Sequence, residues 1–294
     1  MTTAKLLISL DFELGWGVAE SGQWREREEA GVYRVLRPAI RRLLDALDSY
    51  DAKVIWAIVG GMLQKRSEGE FDHLPGALAQ ALRTFVSEAD GESVDARDLM
   101  DMVEASRTRH QIASHSYSHA RFSYPGYDLA GKTQDLKLSC DAMRERGHEI
   151  DALVFPINHS GDYEALAANN FRIARVSPDE PRFASVRPLN KFYYRTIATP
   201  PPVVERTNAQ GIVEHAGSLL FLWPEGRVSG VRRHFVARRA RQGLHHVAEH
   251  GGSMHLWFHP FDMVSTPGME SKLHAFLRDA VALRDAGKIE FAGM

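Results

Sequence analysis

Lys5-Leu6-Leu7-Ile8-Ser9-Leu10-Asp11-Phe12-Glu13 is a short apolar run that ends in two carboxylates. Lys5–Leu10 has the length and nearly continuous apolar character of a strand buried on both faces, as strands of parallel sheets are. Side chains on extended backbone alternate with period two, so Asp11 and Glu13 project to the same side. In parallel α/β folds, active sites are built at the C-terminal ends of strands, which is where this pair falls. Two carboxylates there can divide labour, one binding a metal and the other free as a base. A helix cap or a rim ion pair would need the same residues.

Outward from this strand, apolar runs alternate with helical periodicity. Leu36, Ile40, Leu43, Leu44 and Leu47 recur at helical spacing, with Pro38 expected in the first turn, where its missing N–H costs little. Val54–Val59 reads as a second strand ending at Gly60–Gly61, and helical stretches follow near Pro75–Ser87 and Ala96–Arg107. Gln111–Ser114 leads into a cluster of histidines, a helix spans about Leu129–Arg146, and the strand Ala152–Phe155 stops at Pro156. Phe171–Val176 is another β-type run. Residues 178–224 are proline-rich and less regular, with strand-like pieces at Phe192–Ile197 and Ser218–Trp223. Helix near Val231–His250, strand Ser253–His259, helix Glu270–Ala286 and a short strand Ile289–Ala292 complete the chain. No repeat, low-complexity tract or linker interrupts residues 1–294, so a single domain is expected.

Strands alternating with helices predict an α/β fold with a parallel sheet and right-handed crossovers. About seven such units point to barrel closure, with an open doubly wound sheet as the alternative. No Gly-x-Gly-x-x-Gly follows the first strand, against a dinucleotide site.

The net charge is −2, too small for a bulk field that recruits nucleic acid or an anionic membrane. Cys140 is the one cysteine, which excludes an internal disulfide and a thiol pair for zinc. Any metal would be held by His, Asp and Glu. No stretch reaches the roughly 18 apolar residues of a membrane span. The first apolar run ends at Asp11 without the longer core and cleavage site of a secretory signal, so a cytoplasmic protein is expected.

Three more polar clusters follow predicted strands. His115-Ser116-Tyr117-Ser118-His119 spaces two histidines four apart, able to converge on one ion if the segment is helical or turns tightly. Imidazole with carboxylate oxygen suits zinc and its first-row neighbours. Asn158 and His159 follow the strand near 153. His259, in Trp257-Phe258-His259-Pro260-Phe261, is left at the lip of the sheet by the proline after it, where an imidazole can act as general acid. His255 shares its face and is expected to be buried and structural.

In combination, the SLDFELGWG opening, HSYSH and the late WFHP resemble the polysaccharide deacetylases, carbohydrate esterases of the family 4 type that share a domain with the rhizobial chitooligosaccharide deacetylases. The resemblance runs from Leu6 to about Asp262. It implies a distorted (β/α) barrel with one divalent catalytic metal, zinc first among the candidates. It also implies Asp11 as catalytic base, Glu13, His115 and His119 as metal ligands, and His259 as catalytic acid. One position departs: where the family tends to carry an arginine that steadies the catalytic aspartate, this chain has Phe155-Pro156-Ile157-Asn158. Arg175 or Arg172 on the next strand is the candidate replacement, and a backbone N–H near Ile157 or Asn158 is a candidate oxyanion donor.

The expected activity is removal of an N-acetyl group from a sugar or saccharide precursor, in the setting of surface polysaccharide assembly. The alternatives are an allantoinase-like cyclic amide hydrolase and a non-catalytic sugar binder. Trp16, Tyr117, Asn158, Arg175 and Trp257 are candidate substrate contacts. Trp16, Trp24, Tyr117 and Trp257 could stack on sugar rings or belong to the core. Arg232, Arg233, Arg238, Arg239 and Arg241 suit a solvated helix face, or a dock for an anionic sugar. Cys140 is expected as a small buried hydrophobe. Oligomeric state is left open.

Overall fold

Along β1 (Ala4–Phe12), Leu6, Ile8, Leu10 and Phe12 join the large core beneath the helices, while Leu7 joins a separate cluster with Ile55, Ala113 and Ala152. The alternation of a strand thus divides β1 between a helix-covered convex face and a concave face. The computed structural model describes residues 3–64, 71–177, 198–221 and 229–294, the side chains of 229–234 excepted.

Nine further strands follow: β2 (Ile55–Ile58), β3 (Gln111–Ser114), β4 (Ala152–Val154), β5 (Ile173–Val176), β6 (Glu205–Thr207), β7 (Val213–Ala216), β8 (Leu219–Leu220), β9 (Ser253–Phe258) and β10 (Ile289–Ala292). They form one sheet in the order β6-β7-β5-β4-β3-β2-β1-β9-β8, curled into a half-barrel consistent with a distorted (β/α) barrel. Nine of the ten are mutually parallel, more than the seven expected; β6 runs antiparallel to β7. β10 pairs with Ala4–Leu7 and β2 with Ser9–Phe12, so β1 has a neighbour along its whole length. β6 and β7 were not anticipated: these short segments, β6 exposed and β7 half-buried, flank the turn at Asn208–Gly211 and lack an apolar run. The strand expected at Phe192–Ile197 lies outside the described residues, as does the end of Ser218–Trp223 beyond Phe221.

The helix expected from Leu36 begins at Val32, because Tyr33 as well as Leu36 is buried on its core side. Pro38 therefore lies inside the helix Val32–Tyr50 rather than in its first turn. The other expected helices fall where their periodicity places them, at Gly76–Glu88, Arg97–Ala105, Leu129–Arg144, Ser229–His250 and Met269–Asp285, whereas the short helices Trp24–Glu29, Gly91–Val94, Tyr163–Ala168 and Asp262–Ser265 were not anticipated. No helix among the described residues is long and apolar enough to cross a membrane.

On the concave face the residues of β1 from Leu7 onward grade from apolar to charged. Leu7 lies in the apolar layer with Ile55, Ala113 and Ala152. Above it Ser9 meets Arg175 and His255, and at the mouth stand Asp11 and Glu13. Parallel pairing aligns the C-terminal ends of β1, β2, β3, β4, β5, β7 and β9 at that mouth.

Candidate active site

Asp11 is only 3% exposed, and Arg175 reaches it from β5, which is not a neighbour of β1 in the sheet. Nη1 donates to Oδ1 and Nη2 to Oδ2, both at 2.6 Å. Nη1 also donates to Ser9 Oγ at 2.8 Å and Nη2 to Asn158 Oδ1 at 3.0 Å. A planar guanidinium meets a carboxylate two-to-two, fixing its orientation as well as its charge. Burial would raise the Asp11 carboxyl, but the Arg175 guanidinium outweighs it and holds the group below the ordinary carboxylate range. Asp11 is an anion with both oxygens in fixed positions.

The arginine expected after β4 is thus supplied by the next strand. Ile157 is 52% exposed and Arg172 lies exposed just before β5, at the end away from the mouth. The turn Pro156–Asn158 carries Asn158 to Arg175 through left-handed backbone at Ile157 (φ 56°) and Asn158 (φ 55°). Asparagine tolerates that conformation, whereas a β-branched residue such as Ile157 is strained in it. Arg175 is fully buried behind Asp11, which makes it the partner of the carboxylate rather than a substrate contact. The Asn158 N–H is committed to Phe155 O at 2.9 Å, so it is not a free oxyanion donor. His159 is exposed and bonded to Ser123 Oγ at 2.8 Å.

Glu13, His115 and His119 converge beside Asp11, with one ligand atom from each lying within 4.8 Å of the others. The HSYSH segment turns tightly instead of forming a helix: Ser116 and His119 have φ of 63° and 59°. The turn is pinned by side chains, with Ser114 Oγ accepting from Ser116 N, Ser116 Oγ from His119 N, and the buried Asp135 from Tyr117 N. His115 Nδ1 donates to Val154 O at 2.7 Å, which assigns its proton to Nδ1 and leaves the Nε2 lone pair free, 3.6 Å from Glu13 Oε2.

His119 Nε2 lies 2.9 Å from the same oxygen, yet it is not aligned as a hydrogen bond and has no hydrogen-bond partner. Burial lowers the His115 imidazole despite Glu13 nearby. Burial would raise Glu13, but His119 and His259 outweigh it and hold the carboxyl well below its ordinary range. A carboxylate oxygen and two imidazole nitrogens gathered within 4.8 Å of one another are a donor set that fits a divalent cation, which takes imidazole in its neutral form.

His259, at the end of β9, brings Nε2 to 4.0 Å from Glu13 Oε1. Its Nδ1 lies 3.4 Å from Oδ2 of Asp262, a fully buried residue. Burial pulls the imidazolium down, but Glu13, Asp262 and Asp11 outweigh it and push it up to about 9. Asp262 was missed by the sequence reading; its only signal is an acid three residues after the histidine, beyond Pro260. The pair backs His259 with a buried carboxylate.

The aromatic candidates separate. Trp16 is 3% exposed, with its indole N–H on Val94 O and its ring packed on Phe71, Phe85 and Tyr117. Trp24 and Tyr117 are likewise buried, the Tyr117 hydroxyl donating to Gln64. These three are core. Trp257 is partly exposed, with the Arg175 guanidinium 4.5 Å over its ring. His255 is buried as expected, and Cys140 is buried with its thiol pushed up to about 11 by burial. The arginine run is not one face: Arg238 is exposed, Arg241 pairs with Asp279, and buried Arg239 donates to Ala198 O at 2.6 Å. The side chains of Arg232 and Arg233 lie outside the description.

No protein-family profile and no curated protein matches the sequence. Solved structures do. A Mycobacterium smegmatis protein assigned as a polysaccharide deacetylase superposes with a TM-score of 0.64 at 17% identity, over 99% of this chain and 87% of its own. The chain has a polysaccharide-deacetylase-type fold. An allantoinase, PuuE, superposes on that same fold with a TM-score of 0.59 at 11% identity, over 98% and 86% of the two chains. At these identities the similarity concerns the deacetylase-type fold.

Proposed function

We propose that this chain is a metal-dependent amide hydrolase that removes the N-acetyl group of a sugar or saccharide precursor. One observation carries it: an anionic Asp11 clamped by Arg175 stands beside the Glu13, His115 and His119 group, with a His259 backed by Asp262 across the same mouth. The expected function in surface polysaccharide assembly belongs to the same proposal.

Glu13 Oε2, His115 Nε2 and His119 Nε2 would hold the metal, which when bound supplies an acidified water and a Lewis acid for the carbonyl. Asp11 accepts a proton from the attacking water; its fixed oxygens and depressed pKa keep it ready as a base. Arg175 holds that carboxylate in place and shields it from repulsion by Glu13. The amide nitrogen needs a proton before the C–N bond breaks, and His259, whose imidazolium is favoured by the neighbouring Asp262 and Asp11, gives it one from Nε2. Asp262 orients the imidazolium through Nδ1. Acetate and a free amine result.

The bidentate Arg175 pairing supports turnover over the non-catalytic alternative, whose argument is the isoleucine at 157. The allantoinase alternative draws on the second superposition and uses the same residues. Zinc- or cobalt-loaded protein assayed for acetate release against N-acetylated mono- and oligosaccharides, with allantoin and other cyclic ureides in parallel, separates the two. Ureide opening without acetate release would replace the proposal, and bound metal with neither reaction would favour a binding protein.

A further inference from the structure

Behind Asp11 lies a buried polar group that neither the metal ligands nor His259 touches. Ser9, His215 and His255 are essentially without exposed surface on the concave face, next to Arg175. Arginine is a donor only, so Ser9 Oγ is the acceptor of the 2.8 Å bond from Arg175 Nη1. The hydroxyl proton of Ser9 must then go elsewhere, and His255 Nε2 lies 2.8 Å away. Taking that proton requires the nitrogen to present a lone pair. Burial, with His215 and Arg175 close by, holds His255 well below its ordinary range, so the ring is neutral and carries its one proton on Nδ1.

The other end can be worked out independently. His215 Nδ1, on β7, lies 3.2 Å from the Glu205 carboxylate on β6, which can only accept. His215 thus carries its proton on Nδ1, and burial lowers its pKa, leaving a lone pair on Nε2. Two buried nitrogens now remain without a partner, His255 Nδ1 and His215 Nε2. One is a donor and the other an acceptor, and their rings stand 5.0 Å apart, centre to centre. A small ring shift or one buried water joins them.

We infer that Ser9, His255 and His215 form a one-way hydrogen-bond relay, anchored on Glu205, that positions Arg175 against Asp11. Every donor in it points outward, from Arg175 through Ser9, His255 and His215 to Glu205. Arg175 needs such a hold because its side chain crosses the concave face and its Nε has no partner. Among the described residues, Ser9 is the one tie on Nη1 that does not depend on Asp11. The three are positioning residues, acting on Asp11 through the guanidinium.

The catalytic consequence rests on the proposed deacetylase activity; the tautomers do not. Full-length protein labelled with nitrogen-15 histidine, in metal-free and zinc-loaded forms, gives the test by NMR of the ring nitrogens, with His255→Gln and His215→Gln used for assignment. Both rings should appear as the Nδ1–H tautomer, the minor form of free histidine. Ser9→Ala and His255→Leu should lower kcat about ten- to a hundredfold, as loss of outer-shell partners does, with KM and metal content unchanged. His255→Gln, whose side-chain oxygen can take the Ser9 hydroxyl, should recover most of the rate. His255 found as Nε2–H or as imidazolium overturns the relay, and so does an unchanged kcat in Ser9→Ala. Should the wild type hydrolyse nothing, the deacetylase assignment fails while the tautomers still decide the relay. Should the leucine variant not fold, the wild-type spectrum decides it.

Discussion

Replacing Arg175 with Met strips the buried Asp11 of its principal counter-charge, leaving only the weaker pull of His115 and His259. The guanidinium is fully buried and makes four hydrogen bonds, two of them to Asp11 at 2.6 Å. Breaking a buried pair by removing one partner costs about 3–5 kcal/mol. In the double variant with Asp11→Asn no charge is left stranded, so the two losses should fall short of additive by about 1–3 kcal/mol.

Urea unfolding of the four metal-free proteins at pH 7 measures that coupling. The pH dependence gives a second, signed test. In the wild type Asp11 titrates below its unfolded value of about 4, so its stabilisation is present above pH 4 and is lost as pH falls through the lower folded value. In Arg175→Met burial, the largest influence, is opposed only by the weaker pull of His115 and His259 and raises the group, so stability falls as pH climbs from about 4 toward the raised value. The gap between the two proteins should therefore widen from pH 3 to pH 7. A gap that stays flat, with a coupling under about 0.5 kcal/mol, would refute the view that Arg175 holds Asp11 as an anion.

Three further outcomes are expected. Asp11→Asn should keep the metal, as elemental analysis would show, and lose at least about a hundredfold in kcat; a wild-type rate would remove Asp11 as the base. Gly17→Ala should weaken metal binding measured by titration calorimetry, because a methyl there overlaps the Glu13 carboxylate and forces it to move; unchanged affinity would mean Glu13 is not a ligand. In the metal-free protein His259 titrates at about 9, above its unfolded value of about 6.5. Its stabilisation is full below pH 6.5 and fades as pH rises through 9, so unfolding curves should show that loss in the wild type and not in His259→Gln.

Much of this architecture is readable in the chain because the physics involved is local. β1 shows itself through a run buried on both faces, and its two-residue period already puts Asp11 and Glu13 together. HSYSH is equally visible, although its tight turn depends on Ser114, Ser116 and Asp135, whose hydrogen bonds no spacing rule reveals. Arg175 could be named only as a candidate: its partner lies 164 residues away, and only the curl of the sheet brings β5 opposite β1.

β6 escaped notice because an exposed edge needs no apolar run, and β7 because its Val-Glu-His-Ala sequence places polar residues in a half-buried strand. Trp16 and Tyr117 flank the site residues in sequence yet point into the core, since neighbours on a turn need not share a face. His255 was legible as buried, but its bond to Ser9 joins residues 246 apart.

Whether residues 13, 115 and 119 share one cation is best settled by diffraction from zinc-soaked crystals, recorded on both sides of the zinc absorption edge. A single anomalous peak bounded by the Glu13 carboxylate and the Nε2 atoms of His115 and His119, absent in the double variant His115→Ala/His119→Ala, is the predicted result. A peak elsewhere, or none at saturating zinc, would contradict the account.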